Sequence, residues 1–149
     1  MRVEMKMPDL ATTESEIRIV RWIVQGGELF TIPIASPAAK TLEEISAEIR
    51  RSVERLRSRE PDIRRISPAL MTVTSLGVSN VESVISIINP PEVAILGVGR
   101  ARLTPVVGAD GTIAAEHRLT LTLSLDHRVA SGRYAGDFLE AIVKELESF

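Results

Sequence analysis

The sequence predicts an α/β (α+β) fold, in which the strands of an open sheet are mixed with two long helices. Apolar residues recur at helical spacing in two stretches, residues 41–59 and 133–147, and this spacing predicts the helices. Short runs that alternate in polarity or are rich in β-branched residues occupy most of the remainder and predict strands. With 149 residues, of which 44% are hydrophobic, the chain suits one ordinary domain that can bury a core.

Three strands are predicted near the start of the chain. Residues 3–7 alternate between apolar and charged side chains, the period-2 pattern of a half-buried strand. A second strand over residues 17–24 stops at Gly26, since glycine commonly marks a turn. The third strand covers residues 29–34. Its Pro33 favours a sheet edge or a strand end, because proline has no N–H to donate to a ladder.

The first long helix is predicted over residues 41–59. Thr41 and Glu44 form a capping-box pattern, in which each side chain accepts a hydrogen bond from the backbone N–H of the other residue. One helix face interleaves arginines with glutamates, which favours a solvated face with i,i+4 ion pairs over an anion-binding surface. The apolar positions expected to face the core are Ile45, Ile49, Val53 and Leu56.

The second half of the chain carries the remaining strands. Residues 70–76 form a β-branched run closed by a glycine, and residues 93–98 are almost wholly apolar, which is typical of a strand buried on both faces. Residues 119–125 alternate leucine with threonine and serine and predict a third strand. Turn residues at 108–111 are expected to join residues 100–107 to residues 112–125 as a hairpin.

The final helix is predicted over residues 133–147, with one apolar face. The residues expected on that face are Phe138, Leu139, Ile142 and Leu146. His117 lies among polar residues of the predicted hairpin, and we expect it to be exposed and inert.

The composition excludes several classes of function. The chain has no cysteine, so disulfides, thiolate metal sites and a cysteine nucleophile are ruled out. Two histidines are too few for a multi-histidine metal cluster, and a formal charge of −2 offers no chain-wide basic surface for nucleic acid. No apolar run reaches the roughly 18–20 residues of a membrane span. The charged start lacks the apolar core of a signal peptide, so a cytoplasmic protein is expected.

Two groups of residues could carry chemistry. His127 follows a strand and precedes the Ser131-Gly132 turn, a place from which an imidazole can project into a cleft and act as a base near neutral pH. The alternative is a histidine that is merely hydrogen-bonded at a strand end. Thr74 and Ser75 lie in a strand that ends at a glycine; one of these hydroxyls could donate to an oxyanion, or both could bond only locally.

Three motifs in a fixed order resemble one family. They are Met71-Thr-Val-Thr-Ser-Leu-Gly77, Ile87-Ile-Asn-Pro-Pro-Glu-Val-Ala-Ile-Leu-Gly-Val-Gly99 and Leu121-Thr-Leu-Ser-Leu-Asp-His-Arg-Val129. They are similar to the T-x-S-x-L-G, I-N-P-P-x-x-A-I-L-G-V-G and D-H-R-x-x-D-G segments of the dihydrolipoamide acyltransferases, the core subunits of 2-oxo-acid dehydrogenase complexes. The resemblance covers residues 29–149 and corresponds to the C-terminal half of that family's catalytic domain.

The resemblance implies a chloramphenicol-acetyltransferase-like fold, here truncated because the N-terminal half of the catalytic domain has no counterpart. It also implies a trimer, or a larger cage of trimers, with active sites between subunits. In the family, a thiol of coenzyme A or dihydrolipoamide attacks an acyl thioester. Coenzyme A or acyl-CoA is therefore the expected substrate. Other subunits of a dehydrogenase complex are possible partners, and no nucleic acid or membrane is expected.

The resemblance also assigns roles to individual residues. His127 would be the general base, and Thr74 occupies the position of the family's oxyanion-stabilising serine, with Ser75 as the neighbouring candidate. Ser131 stands four residues after the histidine, where the family has an aspartate that supports the active-site geometry. The other residues of the signature, which we expect to contribute to substrate binding, are Asp126, Arg128 and Gly132.

The beginning of the chain resembles a different part of the same enzymes. Residues 1–28 are similar to the opening strands of a lipoyl domain, through Met5-Lys-Met-Pro-Asp-Leu10 and Val20-Arg-Trp-Ile-Val24. The Asp-Lys-Ala hairpin that carries the lipoyl group does not follow, so no covalent lipoyl group is expected. The predicted organisation is a lipoyl-like segment at 1–28 and half of an acyltransferase domain at 29–149.

Two functional hypotheses remain open from the sequence. The first is an acyltransferase that moves an acyl group from a thioester to a thiol or alcohol. The second is a catalytically degenerate oligomeric scaffold of the same family. An intact His127 favours the first, and Ser131 in place of a carboxylate favours the second. Both predict a homo-oligomer, because an uncovered sheet edge invites pairing with another copy.

Overall fold

The computed structural model describes residues 16–20, 32–58 and 69–148. The strand predicted at residues 3–7, the lipoyl-like motifs other than Glu16–Val20, and the start of the strand predicted at 29–34 lie outside these residues. None of the helices in the described ranges combines the length and the apolar character needed to cross a membrane.

The described part of the chain forms a mixed five-stranded sheet, a separate two-stranded sheet and two long helices, as predicted. The strand order in the larger sheet is β2-β1-β3-β4-β7, and β5 pairs with β6. Pairs β1–β3 and β3–β4 are parallel, whereas β1–β2 and β4–β7 are antiparallel. The elements are β1 (Glu16–Val20), β2 (Ile32–Ala35), α1 (Leu42–Arg57), β3 (Met71–Ser75), β4 (Ala94–Val98), β5 (Arg102–Val107), β6 (Ile113–Arg118), β7 (Leu121–Leu125) and α2 (Gly132–Glu147).

Helix α1 begins at the predicted capping box. Thr41 Oγ1 accepts from the Glu44 N–H at 3.2 Å, and the Glu44 carboxylate accepts from the Thr41 N–H at 2.7 Å. The predicted apolar face packs on β2, where Ile32 and Ile34 are buried. Strand β2 lies at an edge of the described sheet and contains Pro33, as the sequence indicated. The helix residues in this cluster are Val53 and Leu56, with Ile45 and Ile49 partly buried.

Helix α2 packs on the same face of the sheet as α1. Strand registers place Met71 beside Ala94 and Ala94 beside Leu125, so these side chains share one face. Phe138 and its neighbours on α2 contact this cluster. Leu146, which the sequence placed on the buried face, is instead 53% exposed, because it lies in the last turn of the helix, beyond the residues that reach the cluster.

The opposite face of the sheet is lined by hydroxyl groups. Thr122 and Ser124 of β7 donate hydrogen bonds to the backbone oxygens of Val84 and Ser86, the latter at 2.8 Å. Residues 81–89 therefore lie across this face and are attached to it by side chains. In the register of the sheet, Thr72 and Thr74 of β3 share this face, because they alternate with Met71 and Val73.

The predicted hairpin arm over residues 112–125 is divided into two strands. It breaks at residues 119–120, so β6 pairs with β5 whereas β7 pairs with β4. Gly99 N donates to Thr120 O at 2.9 Å, which holds this break against the end of β4. The two halves differ in burial: β6 is exposed along its length and β7 is half-buried. Alternating polarity is confined to β7, which confirms the strand predicted at residues 119–125, whereas β6 has no such alternation.

Candidate functional site

His127 lies in a tight turn between β7 and α2, as the sequence predicted, and it is exposed. The turn is held by backbone hydrogen bonds to Asp126. Asp126 O accepts from Val129 N at 2.9 Å and from Ala130 N at 3.2 Å, while Asp126 N donates to Val93 O at 2.8 Å. Because three backbone bonds fix the residue before it, His127 is presented from a defined position at the end of the sheet.

Asp126 and Arg128 bind each other across His127. The Arg128 guanidinium donates to both carboxylate oxygens, with Nη2 to Oδ2 at 2.7 Å, and the Arg128 backbone N–H donates to Oδ1 at 3.0 Å. These hydrogen bonds, led by those of the side chain, lower the pKa of the Asp126 carboxyl from 3.8 to about 2. The sequence suggested that both residues bind substrate, whereas the structure pairs them with each other, leaving the Arg128 side chain 90% exposed.

Ser131 caps the N-terminus of α2. Its hydroxyl oxygen accepts from Tyr134 N at 3.3 Å, a role that the comparison with a family aspartate did not suggest. A serine directly before a helical apolar pattern is the signal that could have revealed it. Gly132 follows, and a Cβ added there would lie 3.8 Å from His127 Nε2. The imidazole therefore lies beside the first turn of α2, close to Gly132.

The two candidate hydroxyls on β3 have different surroundings. Thr74 is 4% exposed, and its Oγ1 has no hydrogen-bond partner within the described residues. Ser75 is exposed, and its Oγ accepts from Gly77 N at 3.2 Å. Buried hydroxyls are normally paired, so the unpartnered Thr74 Oγ1 is the hydroxyl of the two that has a hydrogen bond left to make with a ligand.

A single chain does not bring His127 and Thr74 together. His127 follows Leu125, which pairs with Ala94 at the end of the sheet where β3 and β4 begin. Thr74 lies three residues farther along β3 than Met71, roughly 10 Å toward the other end, and β3 is two strand spacings, roughly 10 Å, from β7. The two groups thus lie at opposite ends and on different strands.

The rest of the described chain adds no metal centre. His117 is exposed on β6, as predicted. Within the described ranges no three His, Cys, Asp or Glu side chains come together as metal ligands could. One acidic residue near the His127 turn went unnoticed in the sequence: Glu92 is buried and accepts a hydrogen bond from Thr72. Its position before an apolar strand gave no signal of burial.

The chain is similar to known acyltransferases over most of its length. Residues 25–149 match the family described as 2-oxoacid dehydrogenases acyltransferase (catalytic domain). The lipoamide acyltransferase component of the branched-chain alpha-keto acid dehydrogenase complex of Pseudomonas putida is 35% identical over 124 residues, which are 83% of this chain and 29% of that protein.

Two solved structures share the fold. The cubic core of the pyruvate dehydrogenase multienzyme complex matches with a TM-score of 0.78 and 30% identity, over 87% of this chain and 52% of that one. The dihydrolipoamide acetyltransferase of Azotobacter vinelandii matches with a TM-score of 0.76, 30% identity and the same two coverages. The Azotobacter structure was determined to investigate the role of one serine, one histidine and one asparagine in the catalytic mechanism of that enzyme. The chain thus spans about half of these solved chains and 29% of the Pseudomonas relative.

Proposed function

We propose an acyl-transfer function for this chain, which belongs to the family of 2-oxoacid dehydrogenase acyltransferases through its catalytic domain. The acyl group moves between a thioester, of coenzyme A or of lipoamide, and a thiol or alcohol. The observation that carries the proposal is Thr74, whose buried hydroxyl has no hydrogen-bond partner in the described residues. A donor that is buried and unpaired is suited to a ligand oxygen that carries negative charge.

In the proposed mechanism His127 Nε2 removes the proton from the acceptor thiol, and the resulting thiolate attacks the carbonyl carbon of the acyl thioester. The Thr74 hydroxyl donates a hydrogen bond to the oxyanion that forms. When the tetrahedral intermediate collapses, the carbon–sulfur bond of the original thioester breaks. His127 then returns its proton to the departing thiolate, so the protein ends the cycle unchanged.

The two catalytic groups come from neighbouring copies in this proposal. Their separation across the sheet favours a site shared between chains, and a cubic core, the assembly of the solved relative, contains many copies. The β5–β6 hairpin supports such contacts. It exposes Leu103, Val107 and Ile113, and an isolated two-stranded hairpin is at best marginally stable in water. A trimer, or a multiple of trimers, is the assembly we propose, with other dehydrogenase-complex subunits as further partners.

Ser131 keeps a role in this proposal. In the Azotobacter enzyme the asparagine under study lies four residues after the histidine, which is the spacing from His127 to Ser131. We therefore keep Ser131 in the proposed site although its side chain carries no charge. The Ser131 oxygen is used as a helix cap, but its hydrogen can still donate, so the side chain can orient a group next to His127.

The other parts of the proposal rest on the sequence. Coenzyme A enters as a substrate, and no covalent lipoyl group is required on this chain. A lipoyl-like segment at 1–28, an acyltransferase half-domain at 29–149 and a cytoplasmic location stay predictions. Gly132 leaves room beside the imidazole, whereas Asp126 and Arg128 act by bracing the turn.

The decisive experiment measures transfer from acetyl-CoA to dihydrolipoamide by wild type, His127→Ala and His117→Ala. We expect His127→Ala to lower kcat by at least about 100-fold, the usual contribution of a general base. His117→Ala applies the same change to the exposed histidine of β6 and should leave kcat unaltered. Undiminished transfer in His127→Ala would remove His127 from the mechanism. A folded wild-type oligomer with no transfer would favour the scaffold hypothesis instead.

A further inference from the structure

Glu92 is buried, which is unusual for a glutamate. Across residues 32–58 and 69–148 it is the one acidic or basic residue that is buried, at 4% exposure. Its Oε2 accepts from Thr72 Oγ1 at 2.5 Å, and Thr72 is itself 2% exposed. Burial of a carboxyl group costs free energy unless hydrogen bonds compensate, so this pair marks a position where a fixed geometry matters.

The pair lies at the same end of the sheet as His127. Glu92 N donates to Asn89 O at 3.0 Å, so both its backbone and its side chain are held. The next residue, Val93, donates from its N–H to Leu70 O at 3.0 Å and accepts at its carbonyl oxygen from Asp126 N at 2.8 Å. Through these two hydrogen bonds Val93 links Leu70, the residue before β3, to Asp126 at the start of the His127 turn.

We infer that Glu92 is a positioning residue, which acts through Val93 and Asp126 to hold the His127 turn in place. The inference rests on the proposed function only for its kinetic consequence. The Thr72–Glu92 hydrogen bond fixes residue 92 against β3. The Val93 carbonyl oxygen is then held in position to accept the hydrogen bond from Asp126 N. This bond fixes the first residue of the turn that contains His127.

The kinetic test uses isosteric variants on both sides of the hydrogen bond. Thr72→Val removes the hydroxyl and keeps the shape, Thr72→Ser restores it, and Glu92→Gln keeps an acceptor without the charge. We expect Thr72→Val to lower kcat roughly tenfold with KM for acetyl-CoA unchanged, because small misplacement of a reacting group costs rate. Thr72→Ser should recover at least half of the wild-type kcat, and Glu92→Gln should fall between the two.

A second measurement needs no activity and so separates this inference from the proposed function. Hydrogen exchange of the Asp126 and Val129 amides, followed by NMR, reports on the turn directly. We expect Thr72→Val to speed exchange at both amides at least fivefold. The matched control is Thr122→Val, which removes a hydroxyl bond to Val84 O on the same sheet face without touching the turn. It should leave both amides at wild-type rates.

The outcomes divide cleanly. Faster exchange at the turn in Thr72→Val but not in Thr122→Val supports the positioning role, even if wild type transfers no acyl group and the proposed function fails. Equal exchange at Asp126 and Val129 in wild type, Thr72→Val and Glu92→Gln overturns it. If Thr72→Val does not fold, Thr72→Ala, which also removes the hydroxyl, carries the same comparison against Thr122→Ala.

Discussion

The Ser131 hydroxyl caps helix α2, and Ser131 is adjacent to Gly132, which lies beside the proposed base His127. It accepts from Tyr134 N as the N-cap of α2, and the next residue, Gly132, lies against the His127 imidazole. A capping side chain fixes where a helix begins. The start of α2, and with it the space beside His127, therefore depends on a residue whose effect on stability can be measured apart from any effect on catalysis.

Replacing Ser131 should therefore destabilise the protein. We expect Ser131→Ala to lower the free energy of unfolding by about 1 kcal/mol, the usual cost of losing an N-cap. Ser131→Asp should retain stability, because aspartate also caps and its charge is favourable at a helix N-terminus. Urea denaturation of the three proteins measures the difference. Equal midpoints for wild type and Ser131→Ala would show that the hydroxyl is not an effective cap.

The Asp126–Arg128 pair predicts an acid-dependent stability. Hydrogen bonds from Arg128 lower the pKa of the Asp126 carboxyl from 3.8 to about 2. The folded state therefore favours the carboxylate, and the resulting stabilisation is complete above pH 4 and is lost as pH falls toward 2. In urea unfolding between pH 5 and pH 2, Asp126→Asn should be less stable than wild type at pH 5, and most of this difference should be lost at pH 2.

Arg128→Ala provides the control for that prediction. It should show a smaller loss at pH 5 than Asp126→Asn, because the backbone N–H of residue 128 still donates to the Asp126 carboxylate. The double variant should lose no more than Asp126→Asn alone, since the side-chain interaction is already removed there. A difference between wild type and Asp126→Asn that persists unchanged at pH 2 would point to another cause. Because the pair is exposed to solvent, the whole effect is expected to be small.

At the scale of residues, the sequence predicted where a residue lies in the secondary structure better than its burial or its hydrogen-bond partners. The turn around His127 follows from local signals: a strand, small turn residues and a helix start. Thr74 and Ser75 could not be distinguished, because burial depends on which face of the sheet is covered. Burial of Glu92 depends on Thr72, twenty residues earlier in the chain, and no local pattern reports such a pairing.

At the scale of elements, the hydroxyl face of the sheet shows how a segment without ladder pairing can cover a sheet. Residues 81–89 are attached through Thr122 and Ser124. Close approach is possible because β4 has a glycine there: a Cβ on Gly97 would lie 2.6 Å from Thr122 Oγ1 and 2.6 Å from Val84 O. The side chain of residue 97 is thus replaced by the backbone of the covering segment.

Two glycine substitutions should have opposite effects. Gly97→Ala forces a methyl group against Thr122 and Val84, and we expect a loss of about 1–3 kcal/mol in the free energy of unfolding. Gly136→Ala meets no atom within 4 Å on α2, and should gain about 0.5–1 kcal/mol because alanine is the better helix former. Thermal or urea unfolding of both variants checks the signs. A tolerated Gly97→Ala would mean that the segment is not closely packed there.

Elements were predictable wherever their pattern is local. Helix α1 was predicted from its capping box and its apolar spacing, because both are set by residues within one or two turns. The strand at residues 119–125 was predicted from its alternation, but its separation from β6 was not, because the choice between β5 and β4 as partner depends on distant residues. Pairing partners are fixed by the whole sheet, so a strand that changes sheets leaves no signal in its own sequence.

At the scale of the whole molecule, the proposed site is divided. His127 and Thr74 lie at opposite ends of one sheet, so in the proposed mechanism each copy would supply one half of two different sites. A site shared between two copies can be tested by assembling oligomers from two variants, each of which lacks a different catalytic group. The family resemblance implied active sites between subunits. The separation within one copy follows from β7 running antiparallel to β4, which is a property of the assembled sheet.

Co-expression of His127→Ala with Thr74→Val should therefore restore activity that neither variant has alone. In a randomly mixed oligomer about a quarter of the sites would combine an intact histidine from one copy with an intact threonine from the next. Acyl transfer by the purified mixture, compared with each variant assembled alone, measures the recovery. Absence of recovery in mixed oligomers, verified by mass spectrometry, would place both groups within one copy.

The hydrogen bond between Gly99 N and Thr120 O has a consequence for how this fold can diversify. Strands β4 and β7 are sheet neighbours, so the β5–β6 hairpin leaves the sheet and returns to it at one point. It is an insertion with adjacent ends, and a short turn could replace it without changing any strand register. Lineages are then free to lengthen, shorten or redecorate this arm, and so to alter how copies associate, while the residues proposed for catalysis stay untouched.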